Sequence, residues 1–216
     1  MDYQFSRQVK TKPRTITVNG NGEISVAPNF GEIRFEVVTQ SKDLNEAQNQ
    51  NSKIMNQVIQ SLLSLGIKRE DMQTSSFSIF PQYDYIEGQQ VFRGYEVTNS
   101  LTVKIRDISK VGMVIDTAVR NGANRVSSLE FKLDRENQYY QQALQLALFN
   151  AVEKARTIAD TLKLPIYPLP IEIIEESVEA PPIMYKAVAM TQESFQTPIE
   201  QGLISIKAKV LVRFQF

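Results

Sequence analysis

The sequence predicts an α+β fold in the ferredoxin-like βαββαβ order, an antiparallel sheet with helices on one face. Three observations carry that prediction. Residues 94–131 hold a strand, a short helix, a glycine stop and a second strand with almost no residues to spare. Residues 41–65 carry a helical apolar stripe, followed by two long runs at 72–86 and 90–106. Nearly every strand keeps one charged face of mixed sign, with Glu32, Arg34, Glu36, Lys104, Arg106, Glu130, Lys132, Lys207 and Lys209 along it. An antiparallel sheet with one wet side requires that pattern.

Taken in order, residues 1–14 are polar, with Lys10, Lys12 and Arg14 around Pro13, and read as a tail. Residues 15–216 read as a single α+β unit, within which 67–135 can form a lobe of its own. After a short strand at 15–18, Asn19-Gly20-Asn21-Gly22 predicts a tight hairpin turn, because Asn and Gly tolerate positive φ. The same residues lack the spacing and the lysine of a phosphate loop. Ile33, Phe35 and Val37 alternate with Glu32, Arg34 and Glu36 in the next strand, and Pro28 and Gly31 mark a break before it.

In the helix at 41–65, Asp43 and Glu46 stand at capping-box spacing. Leu44, Ala47, Ile54, Val58, Leu62 and Leu65 form its buried stripe, and Gly66 closes it. Asn45, Gln48, Asn49, Gln50, Asn56 and Gln57 read as its solvated face. The strands at 72–86 and 90–106 form a hairpin around Glu87-Gly88. Leu101, Val103 and Ile105 point to its core side and Thr102, Lys104 and Arg106 to the other. Asp107 is placed to cap a helix with apolar positions Val111, Ile115, Ala118 and Val119, stopped by Gly122. Val126, Leu129, Phe131 and Leu133 begin the return strand.

The longest helix spans 136–162, where Ala143, Ala147, Ala151, Ala155 and Ala159 recur at every fourth position. Residues so spaced stack on one face, so this ridge admits the close approach of another backbone. Pro165, Pro168 and Pro170 break the helix, and 171–174 makes a short strand. A long loop follows over 177–201, without clear periodicity. The chain ends on a strand whose Ile204, Ile206, Ala208, Val210, Val212 and Phe214 share one face.

Composition narrows function more by what is missing. Lys plus Arg and Asp plus Glu are both 24, so no net charge draws the chain to a polyanion, and no nucleic-acid partner is expected. There is no Cys, no His and no Trp. Thiolate nucleophiles, disulfides, histidine bases and Cys or His metal ligands are therefore excluded within the chain, and no cofactor or metal site is expected. No stretch reaches the roughly 20 apolar residues of a membrane span. Residues 1–14 lack the apolar core of a signal peptide, which gives a cytoplasmic expectation for the chain as it stands.

Several stretches together resemble the SIMPL domain family over residues 16–214: ITVNGNGEISVAPN, SLLSLGIKREDMQTSSFSIFPQYDY, GYEVTNSLTVKIRDISKVGMVIDTAVRNGAN, ALQLALFNAVEKARTIAD and PIEQGLISIKAKVLVRF. Their order and spacing, rather than any single motif, carry the likeness. The resemblance implies a bacterial protein without an agreed enzymatic activity and with no motif-level catalytic residue to carry over. It further implies homo-oligomeric assembly, a link to envelope or stress roles, and export to the cell envelope as the alternative to a cytoplasmic location.

The resulting expectation is a non-catalytic protein that assembles with itself. Phe77, Phe80, Tyr83, Tyr85, Phe92 and Tyr95 form the candidate interface, because a two-stranded ribbon buries little by itself and exposed aromatic patches mark contact surfaces. Two alternatives stand beside it. One is a small-ligand or peptide-binding module that uses the 177–201 loop or an open strand edge. The other is a carboxylate enzyme drawing on Asp71, Asp84, Asp107, Asp116 and Arg120. For the last set, a cap at Asp107 and an i,i+4 pair between Asp116 and Arg120 are the structural explanations.

Overall fold

A computed structural model of the chain describes residues 14–165, 169–176 and 197–216. Most of the 1–14 tail and of the 177–201 loop lies outside the described residues. The chain divides into two compact units. One is built from residues 27–134 with a return segment ending at Leu203. The other takes the residues up to Val26, those from Arg135 onward, and Ile204–Phe216.

The first unit realises the predicted order. Strand β2 (Phe30–Ser41) leads through helix α1 (Leu44–Ser64) to β3 (Met72–Ile86) and β4 (Gln89–Ile105), then α2 (Val111–Arg120) and β5 (Arg125–Lys132). The antiparallel sheet runs β3-β4-β2-β5, the split βαβ arrangement. Its helix-side face is the core: Ile33, Phe35, Val37, Val103, Ile105, Val58, Leu62, Val111 and Val114 are all fully buried. Asp43 caps α1 by accepting from the Glu46 N–H at 2.9 Å, while Ser41 Oγ donates to the Glu46 carboxylate. The stripe is right in period, but it also buries Asn51. That side chain donates to the carbonyls of Val37 at 2.8 Å and Val97 at 3.0 Å.

The helix α2 is not capped as the sequence suggests. A single 3₁₀ turn at Ile108–Lys110 intervenes, and the Asp107 carboxylate accepts from Ser109 Oγ instead of a helix N–H. That bond, helped by Lys110, holds the Asp107 carboxyl below its ordinary pKa. Nor do Asp116 and Arg120 pair through their charges. Arg120 Nε donates to the Asp116 backbone carbonyl, while the Asp116 carboxylate receives Thr197 Oγ1 at 2.7 Å and pins the return segment.

On the wet face, Lys132 joins Glu32 and Glu130, and Lys104 bonds Asp134 while lying 3.9 Å from the centre of the Phe30 ring. Arg106 forks onto Asp71 at 2.8 and 3.2 Å. Asparagine 124 completes the sheet in an unanticipated way: the Asn124 amide accepts from Val38 N–H and donates to Val38 C=O, continuing the ladder beyond the start of β5.

The second unit is a three-stranded antiparallel sheet, β1-β7-β6, under helix α3 (Glu136–Leu162). The strands are β1 (Thr15–Val26), β6 (Glu172–Glu176) and β7 (Ile204–Gln215). The hairpin expected at 19–22 is not there. β1 runs unbroken through these residues and pairs with β7 from Thr15 to Val26. Gly20 and Gly22 serve instead as the floor on which α3 rests. A Cβ at Gly20 would overlap the Ala147 carbonyl and one at Gly22 the Ala143 carbonyl. All five alanines of the α3 ridge are fully buried, so the ridge and the glycines are two halves of one close contact.

Tyr140, on one flank of α3, donates its phenolic O–H to the Glu175 carboxylate of β6. That hydrogen bond is the main reason the phenol titrates above its ordinary range. A raised folded-state pKa means stability that is complete below the unfolded value near 10 and lost as pH rises through the folded one. Tyr140→Phe is therefore expected to flatten the alkaline fall in stability above about pH 10. Denaturant midpoints measured against pH for both proteins check this; parallel curves would refute it.

Candidate functional site

The ends of β3 and β4 form a ribbon that extends past α1. The turn residues Glu87 and Gly88 both have positive φ, 50° and 81°, the geometry of a tight two-residue hairpin. Closer to the domain, Arg93 is an extra residue in β4, since Gln82 pairs with Gly94 and Tyr83 with Phe92. Gly94 has φ 153°, and a Cβ there would lie 2.7 Å from the Ser41 carbonyl oxygen. The bulge and the glycine let the ribbon pass closely over the end of β2.

All six aromatic residues named from the sequence lie on this ribbon or at its root. Phe77, Phe80, Tyr83, Tyr85 and Phe92 keep between 43% and 76% of their surface exposed, and Tyr95 is half-buried. Strand alternation brings Phe77, Tyr83 and Tyr85 to the helix-side face, where Tyr83, Phe92 and Tyr95 meet edge to face at 5.7 and 5.2 Å between ring centres. Phe80 points to the opposite face. α1 packs over β2 and β4, which leaves the rings of β3 uncovered. Ile86 and Val91, also exposed, lie with Phe80 on the opposite face of the ribbon. Sequence reasoning passed over them because single aliphatic residues at a turn carry little signal.

At the ribbon root a cavity of about 220 Å³ is lined by Gln40, Ser41, Lys42, Gln82, Arg93, Gly94 and Tyr95. The carboxylates considered for catalysis are dispersed among separate partners. Asp71 is held by Arg106, Asp84 lies 3.6 Å from Arg93, Asp107 is bonded by Ser109, and Asp116 is bonded by Thr197. The Arg106 guanidinium is pushed up in pKa, first by its hydrogen bond to Asp71. Among the described residues, no group of three or more Asp or Glu side chains stands where it could hold a metal ion.

The chain is 28% identical to the 26 kDa periplasmic immunogenic protein of Brucella melitensis, over 96% of this chain and 87% of that protein. It is 26% identical to the uncharacterized protein YggE of Escherichia coli K12, over 93% of this chain and 82% of the relative. A YggE of Edwardsiella ictaluri is 24% identical, over 96% and 88%. The family model SIMPL, described as a protein of unknown function (DUF541), matches residues 16–214. The chain belongs to the SIMPL family.

Proposed function

We propose that this protein is a non-catalytic assembly protein of the bacterial envelope that associates with further copies of itself through the β3–β4 ribbon. The exposed aromatic patch is the observation that carries the reading. The four exposed rings of its helix-side face, Phe77, Tyr83, Tyr85 and Phe92, present roughly 450 Å² of surface, about half of the ~800 Å² that one partner contributes to a standard protein interface. Phe80, Ile86 and Val91 add a smaller apolar area on the other face. Rings of this kind are also the side chains that dominate binding energy at interfaces. The dispersal of the candidate carboxylates supports the non-catalytic part. The envelope location rests on the Brucella relative, which is named periplasmic; it replaces the cytoplasmic expectation.

Sedimentation velocity tests the assembly. The wild-type chain is expected to sediment as an oligomer, and replacement of Tyr83, Tyr85 and Phe92 together by Ser to raise the dissociation constant about a hundredfold or more while leaving the melting temperature within a few degrees. A wild-type monomer at high micromolar concentration would remove the proposal. Unfolding of the triple variant would assign the rings to the core.

A second reading, a small-ligand site, has the root cavity in its favour. A ligand there would meet the amides of Gln40 and Gln82 and the charges of Lys42 and Arg93. Lys42→Ala separates the two readings, since it removes a charge that a ligand in the cavity would meet and leaves the exposed rings in place.

A further inference from the structure

The two sheets have four edges, and three of them carry a device that discourages pairing. At β1, α3 covers the edge: Asn150 Oδ1 accepts from the Asn21 N–H at 3.2 Å and Lys154 Nζ donates to the Asn19 carbonyl at 2.8 Å. At β3, Pro81 lies in a position whose backbone faces outward. This follows from Asn124 N–H bonding the Glu36 carbonyl, which sets the even residues of β2 toward β5 and the odd ones toward β4. The even residues of β4 then face β3, and Phe77, Ile79 and Pro81 face away from the sheet. A proline there removes an exposed donor. At β5, the pairing slips between Glu32 and Arg34, and Ser128 takes a left-handed φ of 54°, a bulge that breaks the edge.

The β6 edge carries no such device among the described residues. Arg213 C=O accepts from Ile171 N–H, so the odd residues of β7 face β6, and Glu172, Ile174 and Glu176 pair inward. Ile173 and Glu175 therefore direct their N–H and C=O groups outward. Ile171, Ile173 and Ile174 are each at least 44% exposed, although they sit beside a sheet. Ile173 shares the α3 side with buried Val212. The Tyr140–Glu175 bond fixes which flank of α3 faces β6, and one and two turns along that flank stand half-buried Leu144 and Leu148. The result is an apolar floor bounded by an open strand edge. Glu172 and Glu176 are already paired with Arg213 and Lys209 at 2.7 and 2.6 Å, whereas Glu175 meets only a neutral phenol among the described residues.

We propose that β6 is a docking edge for an extended peptide segment of a partner protein, one that adds a fourth strand to the sheet. The segment places an apolar side chain opposite Ile173 and a Lys or Arg opposite Glu175, two residues apart on the same face. A further apolar residue between them covers Ile174. Backbone pairing with Ile173 and Glu175 provides the attachment, and the charge opposite Glu175 sets the register. Like charge at that position is repelled, which disfavours a second acidic β6 as occupant in the register that aligns the two glutamates.

The test titrates the isotope-labelled full chain with the acetylated, amidated peptide Thr-Lys-Val-Val-Thr and follows backbone amide shifts. Saturable shifts are expected at Ile173 and Glu175 with a dissociation constant of about 1 mM, and at least tenfold weaker binding when the Lys and the second Val are N-methylated. Replacing the peptide Lys by Glu should abolish binding to the wild type and restore it to Glu175→Lys. The N-methylated peptide needs no folded variant, so a failure of Glu175→Lys to fold leaves the proposal falsifiable. Equal binding of the two backbone forms, shifts confined to β3 or β5, or no binding would overturn it. So would shifts of the same amides with protein concentration alone, which would assign β6 to self-association. The ribbon variant retains this edge, so loss of assembly there and loss of peptide binding here are separate results.

Discussion

Gly20→Val is expected to destabilise the β1–α3 unit by about 3 kcal/mol or more, among the largest effects of any single substitution in this protein. The reason is positional. A Cβ at Gly20 runs into the backbone carbonyl of Ala147 and presses on the Ala151 methyl, and a carbonyl inside a helix cannot move without moving the helix. α3 would have to lift from β1, exposing a row of alanines that are now fully buried. β propensity acts in the opposite direction, because valine is a better strand residue than glycine. If the glycines were turn residues, substitution would cost only their conformational freedom. The measurement is denaturant unfolding of Gly20→Val beside Ser25→Val, a strand position of β1 outside the α3 contact. Equal costs at the two positions would show that close approach is not the role of Gly20.

That position also marks where the fold could be read from the sequence and where it could not. Alternation in β2 and β4, the Glu87-Gly88 turn and the alanine ridge are local patterns, and each appears in the structure at the expected place. The glycines of β1 are local in composition but not in cause. Gly20 answers to Ala147, which lies far along the chain, and nothing nearby distinguishes a glycine that turns from one that is overlain. Asp107 and Asp116 were misassigned for a related reason: their partners are Ser109 and Thr197, and a carboxylate has many short-range bonds from which to choose. The aromatic set was legible as a list. Its exposure was not, because that depends on α1 packing over β2 and β4 and leaving β3 bare.

Asn51 is the polar residue that the apolar stripe concealed, and Asn51→Asp is the second large effect expected. The side chain is fully buried, its amide nitrogen bonds the carbonyls of Val37 and Val97, and its Oδ1 has no hydrogen-bond partner among the described residues. A carboxylate of the same shape would face two carbonyl oxygens with no donor, at a cost of about 3–5 kcal/mol at neutral pH. Burial raises the folded-state pKa of the introduced acid above its unfolded value near 3.9. The native state then holds the proton more tightly, so the deficit relative to wild type should shrink as pH falls through the raised value. Asn51→Leu separates charge from shape. Register pairs Val37 with Asn99 and Val97 with Thr39, so both carbonyls keep ladder partners, and the unpaired Oδ1 disappears. That variant should stay within about 1 kcal/mol of wild type. Urea midpoints from pH 4 to pH 7 for the three proteins decide the matter. Equal losses in Asp and Leu, or an Asp deficit that ignores pH, would mean that the amide serves packing and that the two strand carbonyls do not govern which residue α1 can place against the sheet.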